Sequence, residues 1–156
     1  AAGMGVSITL QEATAVREQW LDTYYGVRAW HRRLGKESDK TAGQLPAIHV
    51  PVSRLRRFLP GDINRLTIRA NTPVQGAGAA ILKCAIGTLW KHLEGSEEAK
   101  LCACIHDEVL LLVRKGQETK WMEILKVAME SAESKWLGAI PAVADVKTGP
   151  TWAECH

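Results

Sequence analysis

Hydrophobic residues recur at steps of three and four from Leu10 onward, which is the spacing of one face of an α-helix. Thr9 and Glu12 precede them in a capping-box pattern. The spacing therefore predicts one long amphipathic helix that ends near Gly35. Its apolar face comprises Leu10, Ala13, Val16, Trp20, Tyr24, Val27, Trp30 and Leu34, and its polar side gathers Arg28, His31, Arg32, Arg33 and Lys36.

The stretch after this helix changes character twice. Residues 37–44 are polar and contain a glycine, which is typical of an exposed loop. Residues 48–58 are typical of an extended segment, but Pro51 cannot donate to a central ladder. We therefore predict an edge strand or a hairpin, which carries the cationic side chains of Arg54, Arg56 and Arg57.

Turn and capping signals divide the middle of the chain into two predicted helices. Residues 60–62 have the composition of a turn whose aspartate can cap a short helix over residues 63–70. Asn71 or Thr72, followed by a proline, can start a second helix, because proline fits the first helical turn. That second helix is predicted to run to Leu93.

The second half of the chain combines an apolar run with another helical pattern. The run over residues 101–113 is interrupted only at residues 106–108, which predicts two strands joined by a tight turn. Residues 121–136 predict an amphipathic helix that Gly138 ends, and residues 142–147 predict a last strand. The order of elements indicates an α+β fold in which a small antiparallel sheet packs against long helices.

Length and composition favour one domain over residues 1–156. Hydrophobic residues make up 46% and charged residues 24% of the chain, which excludes a disordered protein. No stretch has the apolar length of a membrane span, and the first residues lack the pattern of a signal peptide. Four cysteines do not suggest a disulfide framework in a chain of this size. We therefore expect a cytoplasmic protein without a membrane partner.

The positive charge lies mainly in the first half of the chain. The net charge is +3, and residues 1–83 contain 12 Lys and Arg against 6 Asp and Glu, whereas residues 84–156 contain 8 against 11. This asymmetry permits a polyanionic partner for the first half, although a solvated charged face is the commoner origin of such a pattern.

Two adjacent carboxylates, Asp107 and Glu108, interrupt the apolar run that otherwise belongs in a core. An ionised carboxylate in apolar surroundings is costly unless something pairs with it. Mg²⁺ is a suitable partner, since it takes one or two protein carboxylates together with waters and phosphate oxygens. Neighbouring strand residues point to opposite faces, so we expect only one of the two to bind metal directly. The alternative is that both are polar residues of an exposed hairpin end.

Cysteines and tryptophans have structural explanations beside the functional ones. Cys102, Cys104 and His106 alternate along the predicted strand and can in principle face a zinc ion, but no second ligand pair follows at zinc-site spacing. Buried strand cysteines commonly act as small hydrophobic residues. Tryptophans can stack on bases, but those on the apolar helix faces favour core packing, namely Trp20, Trp30, Trp121 and Trp136.

Two blocks of the sequence resemble those of a known family. Residues 71–76, Asn-Thr-Pro-Val-Gln-Gly, and residues 105–109, Ile-His-Asp-Glu-Val, resemble the NxPVQG and VHDE blocks of family A (DNA polymerase I type) polymerases. Residues 12–33 resemble the helix after the fingers, residues 56–60 the RRYVP segment, and residues 148–152 the terminal G-x-x-W stretch. The resemblance covers nearly the whole chain and implies the carboxy-terminal palm portion of such a polymerase.

The resemblance implies template-directed nucleotidyl transfer by two metal ions, with Mg²⁺ as cofactor and with primer-template DNA and a deoxynucleoside triphosphate as partners. Asp107 matches one of the catalytic metal-binding carboxylates, and Glu108 matches a supporting catalytic residue near the metals. His106 and Gln75 match residues at the primer terminus. The residues that would lie along the duplex are Asn71, Arg54, Arg56 and Arg57.

The chain departs from the family pattern in two respects. It has Ala80 where the family block continues with an aspartate. The DYSQIELR-like segment with the first catalytic aspartate and the lysine-bearing fingers helix, which normally precede this stretch, are missing. We therefore expect half of the two-metal site, completed only by the missing upstream carboxylate, and an inactive chain when it is alone. The expected partner is the upstream polymerase half as a separate chain or a self-associated copy.

Two further hypotheses stand beside the polymerase. One is a non-catalytic DNA-binding or assembly module derived from a polymerase. The other is an unrelated α+β protein whose hairpin carboxylates bind a metal for hydrolysis, which leaves residues 71–76 as a coincidence. The family hypothesis places the protein in the cytoplasm of a bacterial or phage-infected cell.

Overall fold

The computed structural model describes residues 7–38, 47–59 and 66–155. The described residues divide into two compact units. The first unit comprises the chain up to Ile48 together with Arg57–Asn71, and the second comprises His49–Arg56 and the chain from Thr72 onward. The single domain expected over residues 1–156 stays a prediction.

Two helices, α1 (Leu10–Thr23) and α2 (Tyr25–Ser38), replace the single predicted one, and α2 runs past the predicted end near Gly35. The predicted capping box is confirmed at the start of α1. The Glu12 amide donates to Thr9 Oγ1 at 3.2 Å, and the Thr9 amide donates to Glu12 Oε2 at 2.8 Å. Hydrogen bonds from the Thr9 side chain and backbone hold the pKa of Glu12 below its ordinary value.

The corner between α1 and α2 makes the prediction of one long helix wrong. Tyr24 leaves the helical conformation, with φ −101° and ψ 59°. The Arg28 guanidinium stabilises the corner, because it donates to the Glu18 carboxylate at 2.8 Å and contacts the Asp22 carboxylate at 2.8 Å. Apolar steps of three and four continue across the corner, and for this reason the sequence pattern does not show it.

The arginine-rich stretch is a hairpin, as predicted. β1 (Ala47–His49) and β2 (Arg56–Phe58) form a two-stranded sheet, and residues 51–53 form a turn between them. The predicted loop over residues 37–44 lies outside the described residues except for its first two, which belong to α2. The predicted turn over residues 60–62 also lies outside them.

One helix, α3 (Leu66–Leu93), spans the stretch in which two helices were predicted. The prediction of a helix start just before Pro73 is wrong, since this proline lies inside α3. Proline removes a hydrogen-bond donor from the helix, but Thr72 and Pro73 are both buried, and packing offsets that loss. The predicted carboxyl end of the helix is confirmed, and Gly95 follows it in the left-handed conformation at φ 73°.

The predicted hairpin of the second half is confirmed. β3 (Ala99–Ile105) and β4 (Glu108–Val113) pair antiparallel, with Ile105 opposite Glu108 next to the turn. A register shift between Leu101 and Ala103 interrupts the ladder. Exposure alternates along β3, so one face of the hairpin is directed into the protein and the other is exposed.

The helix predicted after this hairpin is α4 (Glu118–Leu137), which ends before Gly138. The strand predicted over residues 142–147 is wrong, because these residues form no ladder. Their exposure still alternates, which explains the strand-like pattern. The Ala144 amide donates to the Glu130 carboxylate at 3.2 Å. A side chain of α4 thus accepts a backbone hydrogen bond that a neighbouring strand would otherwise accept.

A short helix, α5 (Trp152–Cys155), ends the described part of the chain. Its last residue, Cys155, is half-buried. Thr151 Oγ1 donates to Glu154 Oε1 at 2.9 Å at the start of this helix.

Each unit has its own apolar core. In the first unit the buried residues are Leu34, Ile48 and Leu59, with Trp30, Ile68 and Ala70 packed against them. In the second unit, side chains of α3, α4 and one face of the β3–β4 hairpin pack together. The buried residues there are Leu89, Leu93, Ala99, Trp121 and Ala128, with Leu101, Val109, Leu111, Val113, Ile124 and Leu125 packed against them.

The tryptophans predicted to lie in the core differ in their burial. Trp121 is only 3% exposed and Trp30 packs against the first core, so both predictions are confirmed. Trp136 is half-buried, whereas Trp20 is 49% exposed and is not a core residue. The predicted fold class is confirmed: helices and small two-stranded antiparallel sheets. Within the described ranges, no helix combines the length and apolar character needed to cross a membrane.

Candidate functional site

The β3–β4 turn consists of His106 and Asp107. His106 adopts the left-handed conformation at φ 56°, which histidine tolerates better than most other non-glycine residues. Asp107 is exposed, and Glu108, the first residue of β4, is half-buried opposite Ile105. The hairpin thus carries one carboxylate in its turn and a second one at the start of the returning strand. Which of them binds a metal directly stays a prediction.

The β3–β4 hairpin is supported by core packing along its inner face and by hydrogen bonds at its open end. Val109 and Leu111 of β4 pack against the core formed with α3 and α4. At the open end, the Glu98 carboxylate accepts from Lys120 Nζ at 2.5 Å and from Trp121 Nε1 at 3.2 Å. These two hydrogen bonds, that of Lys120 first, lower the pKa of Glu98 from its ordinary value of 4.5. The hairpin is therefore tied to α4 at the end opposite its turn.

Gln75 and Asn71 are exposed residues of α3, one helical turn apart. Residues four positions apart lie on the same helix face. Gln75 belongs to the second unit with the β3–β4 hairpin, whereas Asn71 is the last residue of the first unit. No hydrogen bond joins Gln75 to His106 or Asp107 within the described part of the chain. Gln75, His106, Asp107 and Glu108 thus belong to the same unit, and no described contact joins Gln75 to the turn.

The three predicted arginines are exposed. Arg56 and Arg57 are neighbours on β2, so their side chains leave opposite faces of the strand. Arg54 lies in the loop between the two strands and has a left-handed backbone at φ 59°. Exposed guanidinium groups suit phosphate contacts, which need charge and reach more than a defined pocket.

The loop between β1 and β2 is packed against α3 next to Gln75. A Cβ atom placed on Gly76 would lie 2.4 Å from Val50 Cγ2, and Val50 is only 5% exposed. Only a glycine permits this approach of the Val50 side chain to the helix. The base of the loop and Gln75 are thereby held at the same turn of α3.

The oxygen donors at the hairpin suit a hard divalent cation. Asp107 and Glu108 offer carboxylate oxygens, and Mg²⁺ takes one or two carboxylates together with waters and phosphate oxygens. In the described parts of the chain, no group of three or more His, Cys, Asp or Glu side chains gathers in a metal-binding arrangement. A carboxylate pair fits Mg²⁺, whereas a structural zinc site needs four ligands.

The cysteines of β3 do not support a zinc site either. Cys102 and Cys104 are both exposed and both are free thiols. The interpretation of these cysteines as buried small hydrophobic residues is wrong, because β3 directs Leu101, Ala103 and Ile105 inward instead.

The position at which the polymerase block has an aspartate is buried in this chain. Ala80 is 5% exposed and lies on the inner face of α3. A carboxylate at this place would need a charged or hydrogen-bonding partner to offset its desolvation. The methyl group of alanine has no such requirement, so the local packing is satisfied without a partner.

Two contacts of the site region were missed in the sequence. Trp136 of α4 donates its indole N–H to the Pro51 carbonyl at 3.1 Å, across a sequence separation of 85 residues. Val50 packs into the notch at Gly76. Neither contact has a local sequence signal, although a glycine inside a helix does indicate a close approach of some kind.

Most of the chain is similar to known proteins of one family. The sequence profile of DNA polymerase family A matches residues 2–154. DNA polymerase I of Aquifex aeolicus (strain VF5) is 30% identical over 153 residues, which cover 97% of this chain and 25% of that protein. DNA polymerase I of Streptococcus pneumoniae serotype 4 (strain ATCC BAA-334 / TIGR4) is 30% identical over 159 residues, which cover 96% of this chain and 17% of that protein. The chain thus spans a quarter or less of the length of these curated relatives.

A solved structure has the same fold. The POL domain of Pol1 from M. smegmatis, in complex with DNA primer-template and dNTP, superimposes with a TM-score of 0.69 at 24% sequence identity. The superposition covers 87% of this chain and 24% of that chain. The α+β arrangement described above is therefore that of a stretch of a polymerase domain.

Proposed function

This chain belongs to DNA polymerase family A, and we propose that it supplies one half of the active site of a DNA-directed DNA polymerase. The observation that carries the proposal is the β3–β4 hairpin, which holds Asp107 exposed in a turn that is backed by an apolar core. Gln75, which matches the second family block, lies in the same unit. The relation to DNA polymerase I over most of the chain supports this assignment.

In the proposed site, Asp107 is the direct metal ligand. Its exposure leaves room for the waters and phosphate oxygens that Mg²⁺ requires beside a protein carboxylate. Glu108 is half-buried and acts in support near the metals. When bound, a pair of Mg²⁺ ions activates the attacking hydroxyl and neutralises the leaving group of the nucleotide. The contribution of this chain is to hold the carboxylates on a rigid hairpin.

The remaining site residues are assigned to the primer-template duplex. His106 and Gln75 contact the primer terminus, and both are exposed. Asn71, Arg54, Arg56 and Arg57 lie along the duplex and contact its backbone. Such contacts position the duplex and carry no sequence information. The primer-template and dNTP in the M. smegmatis complex support both classes of ligand.

The 156 residues contain one of the two carboxylate blocks that the two-metal reaction requires. We therefore infer that the other block and the lysine that binds the incoming nucleotide come from the upstream half of a polymerase. That half acts as a preceding stretch of the same polypeptide or as a separate chain. The 156 residues alone are expected to be inactive. The bacterial relatives suit a cytoplasmic site of action.

Primer extension tests the proposal. The 156-residue chain is assayed with Mg²⁺ and all four nucleotides, alone and together with its upstream half. Extension is expected only in the mixture. Extension by the chain alone would contradict the half-site. Duplex binding without extension in the mixture would favour a non-catalytic DNA-binding module. Ala80, at the position where the family has an aspartate, is the observation that supports this alternative.

Substitution of the hairpin carboxylate tests its role directly. Asp107→Asn is expected to lower the rate of extension in the mixture by roughly 10²-fold or more, because it removes charge that is preorganised for the transition state. Duplex affinity and stability are expected to change little, since Asp107 is exposed. The matched control is Asp145→Asn, at another exposed aspartate outside the site. Retained extension by the Asp107 variant would contradict the catalytic assignment.

A further inference from the structure

The Arg54 loop, defined as residues 50–55, is strained. Val52 and Arg54 have left-handed backbone conformations, with φ 64° and φ 59°. A non-glycine residue in this region is uncommon, and for a β-branched valine it is an outlier. Such strain persists only where the surrounding structure over-determines it, and it is often found at functional sites.

Hydrogen bonds over-determine the conformation of the Arg54 loop. The Pro51 carbonyl accepts from the Ser53 amide at 2.6 Å and from the Trp136 indole at 3.1 Å. The Val50 amide donates to the Leu55 carbonyl at 2.7 Å, and the Leu55 amide donates to Ser53 Oγ at 3.3 Å. All but one of these bonds lie within the loop. The bond from Trp136 ties the loop to α4.

The second anchor is the notch in α3. Val50 is buried against Gly76, where a Cβ atom would lie 2.4 Å from its Cγ2 and 3.2 Å from its Cγ1. This contact holds Val50, the first residue of the loop, against Gly76, which follows Gln75 in α3. The loop is therefore docked on α3 and α4 together, at the helical turn that carries a residue assigned to the primer terminus.

The docked loop presents a cation. Arg54 is exposed and makes no ion pair with any residue in the described ranges. At a backbone conformation that favours glycine, an arginine brings strain, and no acidic partner among the described residues offsets that strain. An anion outside the chain would supply such a partner.

We propose that Arg54 contacts a backbone phosphate of the duplex beside the primer end, and that Trp136 is a positioning residue that holds the loop for this contact. The inference rests on the proposed function, since Gln75 defines where the duplex ends. It adds a residue of α4 that neither family block contains. Trp136 acts only through the loop, because its indole N–H bonds to the Pro51 carbonyl.

The salt dependence of duplex binding separates this role from a merely structural one. Each phosphate contact contributes about 0.9 to the slope of log K against log salt concentration. A loss of folded protein lowers the active fraction and leaves that slope unchanged. We would titrate a fluorescent duplex with the 156-residue chain at several salt concentrations, and compare W136F, R54G and the double variant.

W136F keeps an aromatic ring and removes the N–H donor, whereas R54G keeps the left-handed backbone and removes the cation. Each is expected to weaken binding about tenfold at low salt, as for loss of a charged hydrogen bond, and to reduce the slope by about 0.9. The double variant is expected to lose no more than either single one, because both act on one contact. The matched control is W90F, at an exposed tryptophan of α3 away from the loop.

Each outcome decides a different point. An unchanged slope in R54G overturns the phosphate contact, and an unchanged slope in W136F or additive losses in the double variant overturn the positioning role. If W136F fails to fold, G76A decides instead, because it displaces the same loop through its Val50 anchor and must reduce the slope equally. Absence of duplex binding by the unsubstituted chain contradicts the proposed function itself, and this inference with it.

Discussion

Two turns of the second unit hold a DNA-facing candidate in a left-handed conformation, but they are supported in different ways. His106, at φ 56°, lies in the β3–β4 turn, and Arg54, at φ 59°, lies in the Arg54 loop. The β3–β4 turn is supported by the antiparallel ladder and by the apolar core formed with α3 and α4. The Arg54 loop is held to the helices by the Trp136 hydrogen bond and by the packing of Val50 against Gly76.

The two turns differ in how many contacts with the rest of the molecule fix the position of the side chain that each one carries. The β3–β4 turn is placed by many packed side chains, so small surface changes should leave it where it is. The Arg54 loop is placed by two contacts, so one substitution should displace it without unfolding the core. Catalysis by carboxylates requires the first kind of support, because small displacements are costly there. Backbone phosphate contacts tolerate the second kind.

Truncation of the core should have the largest effect on stability. Leu89 is 1% exposed at the centre of the second core. Leu89→Ala is expected to lower the free energy of unfolding by about 2–5 kcal/mol, because it removes buried methyl groups and leaves a cavity. Chemical denaturation measures the change. The matched control is Leu112→Ala on the outer face of β4, where Leu112 is 68% exposed and a change within about 0.5 kcal/mol is expected. Equal losses in the two variants would contradict the view that the hairpin is supported from one face.

Filling the notch at Gly76 should have an intermediate effect. Gly76→Ala places a Cβ atom 2.4 Å from Val50 Cγ2 and is expected to cost about 1–3 kcal/mol through overpacking. Gly78→Ala is the control, since no heavy atom lies within 4 Å of its added Cβ. The control should stabilise the helix by about 0.5–1 kcal/mol, because alanine loses less backbone freedom than glycine. A neutral or stabilising Gly76→Ala would show that the loop does not depend on this contact.

The pH dependence contributed by Glu98 should be the smallest effect. Hydrogen bonds from Lys120 and Trp121 lower the pKa of Glu98 in the folded protein from its ordinary value of 4.5. The ionised carboxylate therefore stabilises the fold above the unfolded pKa, and this contribution is lost as the pH falls through the lower, folded pKa. Glu98→Gln should accordingly be less stable than the unsubstituted chain near neutral pH, and the difference should shrink below pH 4.5.

Unfolding by denaturant at a series of pH values measures this difference. Glu123→Gln, at an exposed carboxylate of α4, the helix that carries Lys120 and Trp121, controls for the loss of one negative charge. If the pH profiles of Glu98→Gln and the unsubstituted chain run parallel, the ties between Lys120, Trp121 and the open end of the hairpin do not stabilise the ionised carboxylate.

Local patterns predicted the β3–β4 hairpin better than they predicted the helices around it. The β3–β4 hairpin and its carboxylates were found because polar residues interrupt a short apolar run, which only a turn explains. The helix boundaries at Tyr24 and Pro73 were predicted wrongly in opposite directions. At Tyr24 the apolar steps continue across a corner stabilised by Arg28, and at Pro73 burial offsets a residue that ordinarily starts or ends a helix.

The sequence by itself determined the α+β class, the capping box at Thr9, the hairpin with Asp107 in its turn, and the resemblance to DNA polymerase family A. These depend on residues close together in the chain or on whole motifs. Only the tertiary structure decided that Val50 fills the notch at Gly76 and that Trp136 holds Pro51. Such contacts join side chains that are distant in sequence, and their energy depends on shape and distance, which no local periodicity records.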